Sequence, residues 1–252
     1  MRFLVFDKFY SIGFDGDEDI KYLKEQKIEN LTIMNVEAED FRKAFEKLLA
    51  LRKEPMSVPN EVLLYLISVQ ARNDGIKVLL SGEGADEFFG GYDRVFTWAT
   101  STKEFDLDKF LELYAYSPVS KESCSYKRLT KIFDNCILTD CFDKVRWFFI
   151  RYHMPVLFRR LDFSLMAAGI EGREPIANSH LFDICKSLSS DVLMVEGLGK
   201  EPLRRLLSKF MGKNFSYEPK VGFPVNVKNI FENPRNLSSY DLWFSKNMEI
   251  LK

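Results

Sequence analysis

Histidine is scarce, cysteine is scattered and net charge is almost absent from these 252 residues, and each shortage removes a class of function. Two histidines, His153 and His180, and four cysteines, Cys124, Cys136, Cys141 and Cys185, with no CxxC pair among them, offer little from which to build a zinc site. The thiols read instead as reduced and mostly buried. Thirty-six basic residues against 37 acidic ones leave a formal charge of −1, so no overall field favours nucleic acid or an anionic membrane, and any charge-based function is local. Long apolar runs are missing too. VLLYLISV, residues 62 to 69, is much too short to span a bilayer, and Asp7 and Lys8 interrupt the N-terminal MRFLVFDKFY before a signal-peptide core can form. The expected location is therefore cytoplasmic. There is no GxxxxGK[ST] loop, no GxGxxG fingerprint, no internal repeat and no low-complexity segment.

What the chain does have is apolar residues, 46% of the total, enough for one large domain or two small ones. FYSIGF (residues 9 to 14), IENLTIMNV (28 to 36) and IKVLL (76 to 80) are β-prone runs. Between the second and third lie two helical patterns. EDFRKAFEKLLALRKE places Phe41, Ala44, Phe45, Leu48 and Leu49 at helical spacing, and NEVLLYLISVQARNDG has Asn60 in position to cap its start and Gly75 to stop it. Strands alternating with helices predict a parallel sheet buried on both faces, with ligands bound beyond the carboxyl ends of its strands. From about residue 100 the pattern becomes helical: DLDKFLELYAY, FDKVRWFFIRYHM, PVLFRRLDFSLMAAG opened by Pro155 and closed by Gly169, NSHLFDICKSL, and GKEPLRRLLSKFMG with Pro202 in its first turn. The stretch from Lys213, with Pro219, Pro224 and Pro234, reads as an irregular tail over the body.

The third β-prone run leads into SGEGADEFFGGY. Its glycines let backbone N–H groups turn toward an anion where a helix begins, a phosphate-friendly design. Glu83, Asp86 and Glu87 oppose it, since two unit charges about 4 Å apart near a protein surface interact by roughly 4 kcal/mol. A cation between acid and phosphate resolves the conflict. Mg²⁺ fits, because it takes one or two protein carboxylates and fills its remaining positions with phosphate oxygens and water; Asp86 is the first choice of ligand. Glu83 could instead pair a lysine or act as a general base. The loop read alone serves equally as a tight acidic turn whose carboxylates complement the positive end of a helix dipole.

The blocks FYSIGF, EPMSVP, IKVLLSGEGADEFFGGY, RRLDFSLMAAGIEGREP, GKEPLRRLL and PKVGFPV, in that order, resemble the C-terminal synthetase domain of glutamine-dependent asparagine synthetases and relatives such as β-lactam synthetases. The likeness runs from about residue 9 to 228. It implies a Rossmann-like α/β fold of the adenine nucleotide alpha hydrolase kind, here an incomplete parallel sheet in residues 1 to 98 followed by a mostly helical part in 99 to 252. It implies, too, ATP-dependent amide formation with Mg²⁺: adenylation of a carboxylate, aspartate in the family, and attack by ammonia. Carried over position by position, Ser81, Gly82 and Gly84 would bind ATP and Ile12 would pack on its adenine. Asp86 would share in Mg²⁺ and pyrophosphate binding, Glu83 would serve the acceptor or amine side, and Lys200 would reach the phosphates. Arg160, Asp162, Glu171 and Arg173 are expected as an internal ion-pair network.

Two family features are absent. No SGGxDS phosphate loop occurs in the sequence, and residue 2 is Arg2 rather than the cysteine nucleophile of a glutaminase domain. The expectation is a synthetase piece truncated at its N-terminus, complete only with the missing part, with ammonia supplied by a glutaminase domain or subunit, and prone to self-associate where the missing strand would pack. Val58, Asn60 and Asn178 depart from the family's usual residues and weaken aspartate as the substrate. Two other readings stand beside this one: a related amidotransferase or lactam synthetase acting on another small-molecule carboxylate, and a non-catalytic nucleotide-binding remnant or interaction module.

Overall fold

The computed structural model describes residues 6 to 25, 27 to 218 and 225 to 252. It is an α/β protein whose described residues form two compact units, one drawn from Met1–Leu79, Arg159–Arg173 and Gly222–Lys252, the other from Leu80–Phe158 and Glu174–Val221.

In the first unit, the β-prone runs become β1 (Phe9–Gly13) and β2 (Leu31–Asn35), paired in parallel from Phe9 opposite Leu31 to Gly13 opposite Asn35. The two expected helices form at Ala38–Arg52 and Asn60–Asn73. All five residues picked out by spacing on the former, Phe41, Ala44, Phe45, Leu48 and Leu49, are buried, and they share a core with Ile12, Val62, Leu63 and Tyr65. At roughly 1.5 to 3 kcal/mol for each large side chain removed from water, this face fixes the helix where it lies.

Asn60 does not cap the second helix. It lies within the helix, and the Pro59 before it makes no side-chain cap bond. The carboxylate of Glu61 instead ties the preceding loop to the helix, Oε1 accepting from the backbone N–H groups of Ser57 at 2.8 Å and Val58 at 3.3 Å. The third β-prone run gives β3 (Val78–Leu80), which pairs with β4 (Glu171–Arg173) rather than joining β1 and β2 among the described residues. A three-residue strand leaves too little periodicity for its partner to be read from sequence. Glu171 and Arg173 on β4 form an ion pair of 2.8 Å with more than half of each side chain exposed, so this pair belongs to the surface and not to an internal network.

The C-terminal stretch also differs from expectation. Beyond Pro234 it forms the helix Ser239–Ile250, capped by Ser238 and carrying the buried Leu242 and Trp243 into the first unit's core. Trp243 Nε1 donates to the Met56 carbonyl at 2.9 Å, and Asn247 accepts from the Met56 N–H at 2.8 Å. Pro234 marks the connection into this helix, not an irregular tail. The PKVGFP of the expected PKVGFPV block lies outside the described residues.

The second unit is helical around an aromatic core that includes Phe88, Phe89, Phe96, Phe110, Phe133, Phe142, Phe148 and Phe149. Two of its helices, Asp93–Ser101 and Cys124–Asp134, were not expected from sequence. The apolar pattern around Pro155, expected as two helices, is continuous: Cys141–Phe148 passes through a π turn at Phe149–His153 into Met154–Met166. Pro155 has no N–H to donate, and the ladder adjusts just upstream, where Met154 N–H bonds to the Phe149 carbonyl five residues back. Cys141 and Cys185 are buried as expected, whereas Cys124 is exposed. Among the described residues, no helix is long and apolar enough to cross a membrane.

Candidate functional site

The SGEGADE loop follows β3 and opens the short helix Ala85–Phe89. Gly84 precedes the helix at φ +96°, a conformation few side chains accept, and a Cβ there would also lie 2.8 Å from that of Ala177. The helix then divides its side chains. Phe88 and Phe89 enter the aromatic core, Glu87 is buried, and Asp86 stays partly open with about a fifth of its side chain exposed.

Lys200 lies opposite Asp86, its Nζ 3.0 Å from Oδ1. The backbone explains how residues so distant in sequence meet. Lys200 N–H donates to the Phe89 carbonyl at 2.8 Å, and Gly199 N–H donates to Asp93 Oδ1 at 2.9 Å. Gly199 touches the loop closely enough that a Cβ there would fall 1.9 Å from the Gly90 carbonyl oxygen. Lys200 itself sits at φ +62° and precedes helix Glu201–Met211, so its backbone is held on both sides. The turn delivers one cation to one carboxylate.

Of the other predicted residues, Ser81 is half-buried and its Oγ accepts from Glu83 N–H at 3.2 Å. Gly82 is exposed, and the space a Cβ would occupy is open. Glu83 is half-buried in the same loop. Thus Ser81, Gly82, Glu83, Gly84, Asp86 and Lys200 belong to one unit, while Ile12 is buried in the core of the other, at 2% exposure. A separate cavity of about 330 Å³ in the first unit is lined by Asn35, Lys43, Lys47 and Tyr65, among others, and by none of the predicted site residues.

The donor set suits a phosphate-bridged cation. Among the described residues there is no cluster of three or more histidine, cysteine or acidic side chains able to enclose a metal. A single carboxylate beside a lysine and an open glycine matches the sparse ligation that Mg²⁺ takes when phosphate oxygens and water complete its shell. Asp86 would hold the ion, and Lys200 could move from Asp86 to a phosphate oxygen.

Glu87 was named only among the loop's acids, yet it is the most constrained of them. It is fully buried, and Tyr92 O–H donates to its Oε1 at 2.5 Å. Its Oε2 has no hydrogen-bond partner among the described residues. Burial pushes its pKa up, the Tyr92 hydrogen bond opposes this, and the charges of Asp86 and Glu83 push it further up. Burial beside this acid also raises the pKa of Tyr92. Tyr92 in turn lies 3.2 Å from His153 Nε2, whose Nδ1 is 2.8 Å from the Tyr114 hydroxyl. The GGY ending of the motif contained this tyrosine, but nothing in its spacing marked it as a partner of Glu87.

The asparagine synthase family model matches residues 8–243. Over 91% of its length, the chain is 24% identical to asparagine synthetase [glutamine-hydrolyzing] 1 of Bacillus subtilis, covering 44% of that protein. It is 26% identical to a putative asparagine synthetase [glutamine-hydrolyzing] of Mycobacterium tuberculosis, over 77% of the chain and 36% of the relative. A putative asparagine synthetase [glutamine-hydrolyzing] 1 of Methanocaldococcus jannaschii is 25% identical, over 84% of the chain and 39% of the relative. The chain thus spans about two fifths of the length of these curated relatives. With the family model matching nearly end to end, through the SGEGADE loop and the Lys200 turn, the chain belongs to the asparagine synthase family.

Proposed function

We propose that this chain carries the pyrophosphate side of an ATP-dependent, carbon–nitrogen bond-forming site of asparagine-synthetase type. The observation that carries the reading is the Asp86–Lys200 pair, 3.0 Å apart on two interlocked turns of a family member. A carboxylate resists direct amidation near neutral pH because its oxygen is a poor leaving group. Adenylation by ATP, with release of pyrophosphate, supplies a better one. The barrier to that step falls with positive charge fixed beside the departing phosphates.

In this reading Lys200 leaves Asp86 to neutralise the leaving pyrophosphate. Mg²⁺, when bound through Asp86, would add charge neutralisation on the same phosphates. Ser81, Gly82 and Gly84 keep the backbone clear for the nucleotide. Glu83 orients the acceptor or takes a proton from the attacking amine. The carboxylate is proposed to be aspartate and the nitrogen donor ammonia, furnished by a glutaminase domain or subunit. The proposed framework is a Rossmann-like sheet of the adenine nucleotide alpha hydrolase kind in residues 1 to 98, with a helical part in 99 to 252, completed by an SGGxDS segment that this sequence does not contain.

The test is ATP–pyrophosphate exchange in the presence of aspartate and a panel of other carboxylates. It is run on the chain as it stands and on the chain joined to an SGGxDS-bearing segment. Exchange that depends on aspartate and disappears in K200M supports the reading. Exchange with a different carboxylate moves the substrate. Neither exchange nor ATP binding in either form would sink the proposal.

A further inference from the structure

The acid behind Asp86 is tied into the second unit by an unbroken line of side chains. Tyr92 O–H donates to Glu87 Oε1, His153 Nε2 lies 3.2 Å from the Tyr92 hydroxyl, and the Tyr114 hydroxyl lies 2.8 Å from His153 Nδ1. With the single Tyr92 proton directed at Glu87, the network is satisfied when Nε2–H donates to Tyr92 and Nδ1 accepts from Tyr114. Rings hold the line in place. Tyr92 stacks on Phe149 at 4.5 Å and 17°, and His153 meets Tyr92, Tyr114 and Phe149 edge to face. His153 is the last residue of the π turn, a feature often found at functional sites because it re-aims side chains along a helix.

We propose that Tyr92, oriented by His153, is a positioning residue for the Asp86–Lys200 pair: its bond to Glu87 fixes the rotation of the Ala85–Phe89 helix and so the direction in which Asp86 points. A five-residue helix has little stability of its own, so side-chain anchors decide its orientation. On one side Phe89 O takes the Lys200 N–H; on the other Glu87 takes the Tyr92 hydroxyl. If the Tyr92 bond is lost, the helix keeps its apolar anchors but no longer has a polar one opposing Asp86. Substrate contact is not part of this role. It rests on the proposed function above for its meaning and for the first of its tests, but not for the second.

Two measurements on the full chain test it, the first being calorimetric titration with magnesium pyrophosphate. Y92F and E87M are expected to weaken binding by about tenfold, and E87Q, which keeps an acceptor for the tyrosine without the charge, to restore it to within about threefold of the parent. Equal losses in E87Q and E87M would make Glu87 a charge contributor and overturn the positioning role.

The second follows the Lys200 ammonium by ¹⁵N NMR in lysine-labelled protein, the signal being the one missing in K200M. It should shift in Y92F and E87M and return in E87Q. A Y92F protein that melts earlier with the Lys200 signal unmoved would show a merely structural tyrosine and overturn the proposal. If the parent chain fails to bind magnesium pyrophosphate, the functional reading loses its support, and the Lys200 signal alone decides the positioning role.

Discussion

Each unit buries a glutamate completely, and the two are treated very differently. Glu61, in the first unit, is saturated: Arg52 pairs with Oε2, while Oε1 accepts from Ser57 N–H at 2.8 Å, Ser57 Oγ at 2.9 Å and Val58 N–H at 3.3 Å. Glu87, in the second, receives the Tyr92 hydroxyl at one oxygen and leaves the other without a hydrogen-bond partner among the described residues. A carboxylate that meets four donors has nothing left to offer a ligand. One held at a single oxygen, beside an acid paired to Lys200, carries an electrostatic cost of the kind found at functional sites. Burial of charge alone therefore does not mark a site; incomplete satisfaction of the buried group is the better sign.

The widest separation between the two should come from E61A. It strands Arg52, only 7% exposed, without its buried partner, a type of loss that costs about 3 to 5 kcal/mol. Urea unfolding should show that drop, while the folded fraction binds magnesium pyrophosphate with unchanged affinity. Weakened binding in the folded protein would erase the distinction between a structural and a functional acid.

The converse substitution, D86N, should leave the unfolding free energy within about 0.5 kcal/mol of the parent. Its affinity for magnesium pyrophosphate should fall by roughly tenfold or more, the scale of one charged metal contact. A stability loss matching that of E61A would make Asp86 another structural carboxylate.

The smallest effect sharpens the comparison on the exposed side of the first unit. Asp74 accepts from Lys8 Nζ at 2.6 Å and from Tyr10 O–H at 2.8 Å, and these bonds hold its pKa below the ordinary aspartate value. A depressed folded-state pKa stabilises the protein above the unfolded-state value, and that contribution is lost as pH falls through the folded one. D74N should therefore be slightly less stable than the parent at neutral pH, with the gap closing below about pH 4. Paired unfolding curves at both pH values check the sign, and a gap that widens on acidification would contradict it.

How much of this was legible depended on the range of the contact. Helix Ala38–Arg52 was written in the spacing of its own apolar residues, and β1 and β2 in short β-prone runs bounded by polar segments. Helix Ser239–Ile250 was obscured because prolines upstream drew attention from the Ser238 cap and from Trp243, whose burial is decided by Met56 and the first unit's core. The SGEGADE loop, by composition, read equally as an anion cradle and as an acidic turn at a helix start. The partner of Asp86 did not announce itself: Lys200 read alone is a surface residue ahead of a helix, and the two meet through turns more than a hundred residues apart. Tyr92 was hidden for a geometric reason. It is five residues beyond Glu87, off any common helical face, and meets it because the chain turns at Gly90, φ +71°, between them.

The contact between Gly199 and the Gly90 carbonyl has a consequence for anyone who would move this chemistry elsewhere. Since a single added methyl at 199 would strike that oxygen, neither turn can be lengthened or redrawn without its mate. Residues 81 to 93 and 197 to 200 are in this sense one transplantable piece written in two parts of the gene. A graft that copies only the glycine-rich motif would carry a carboxylate into its new host and leave the lysine behind.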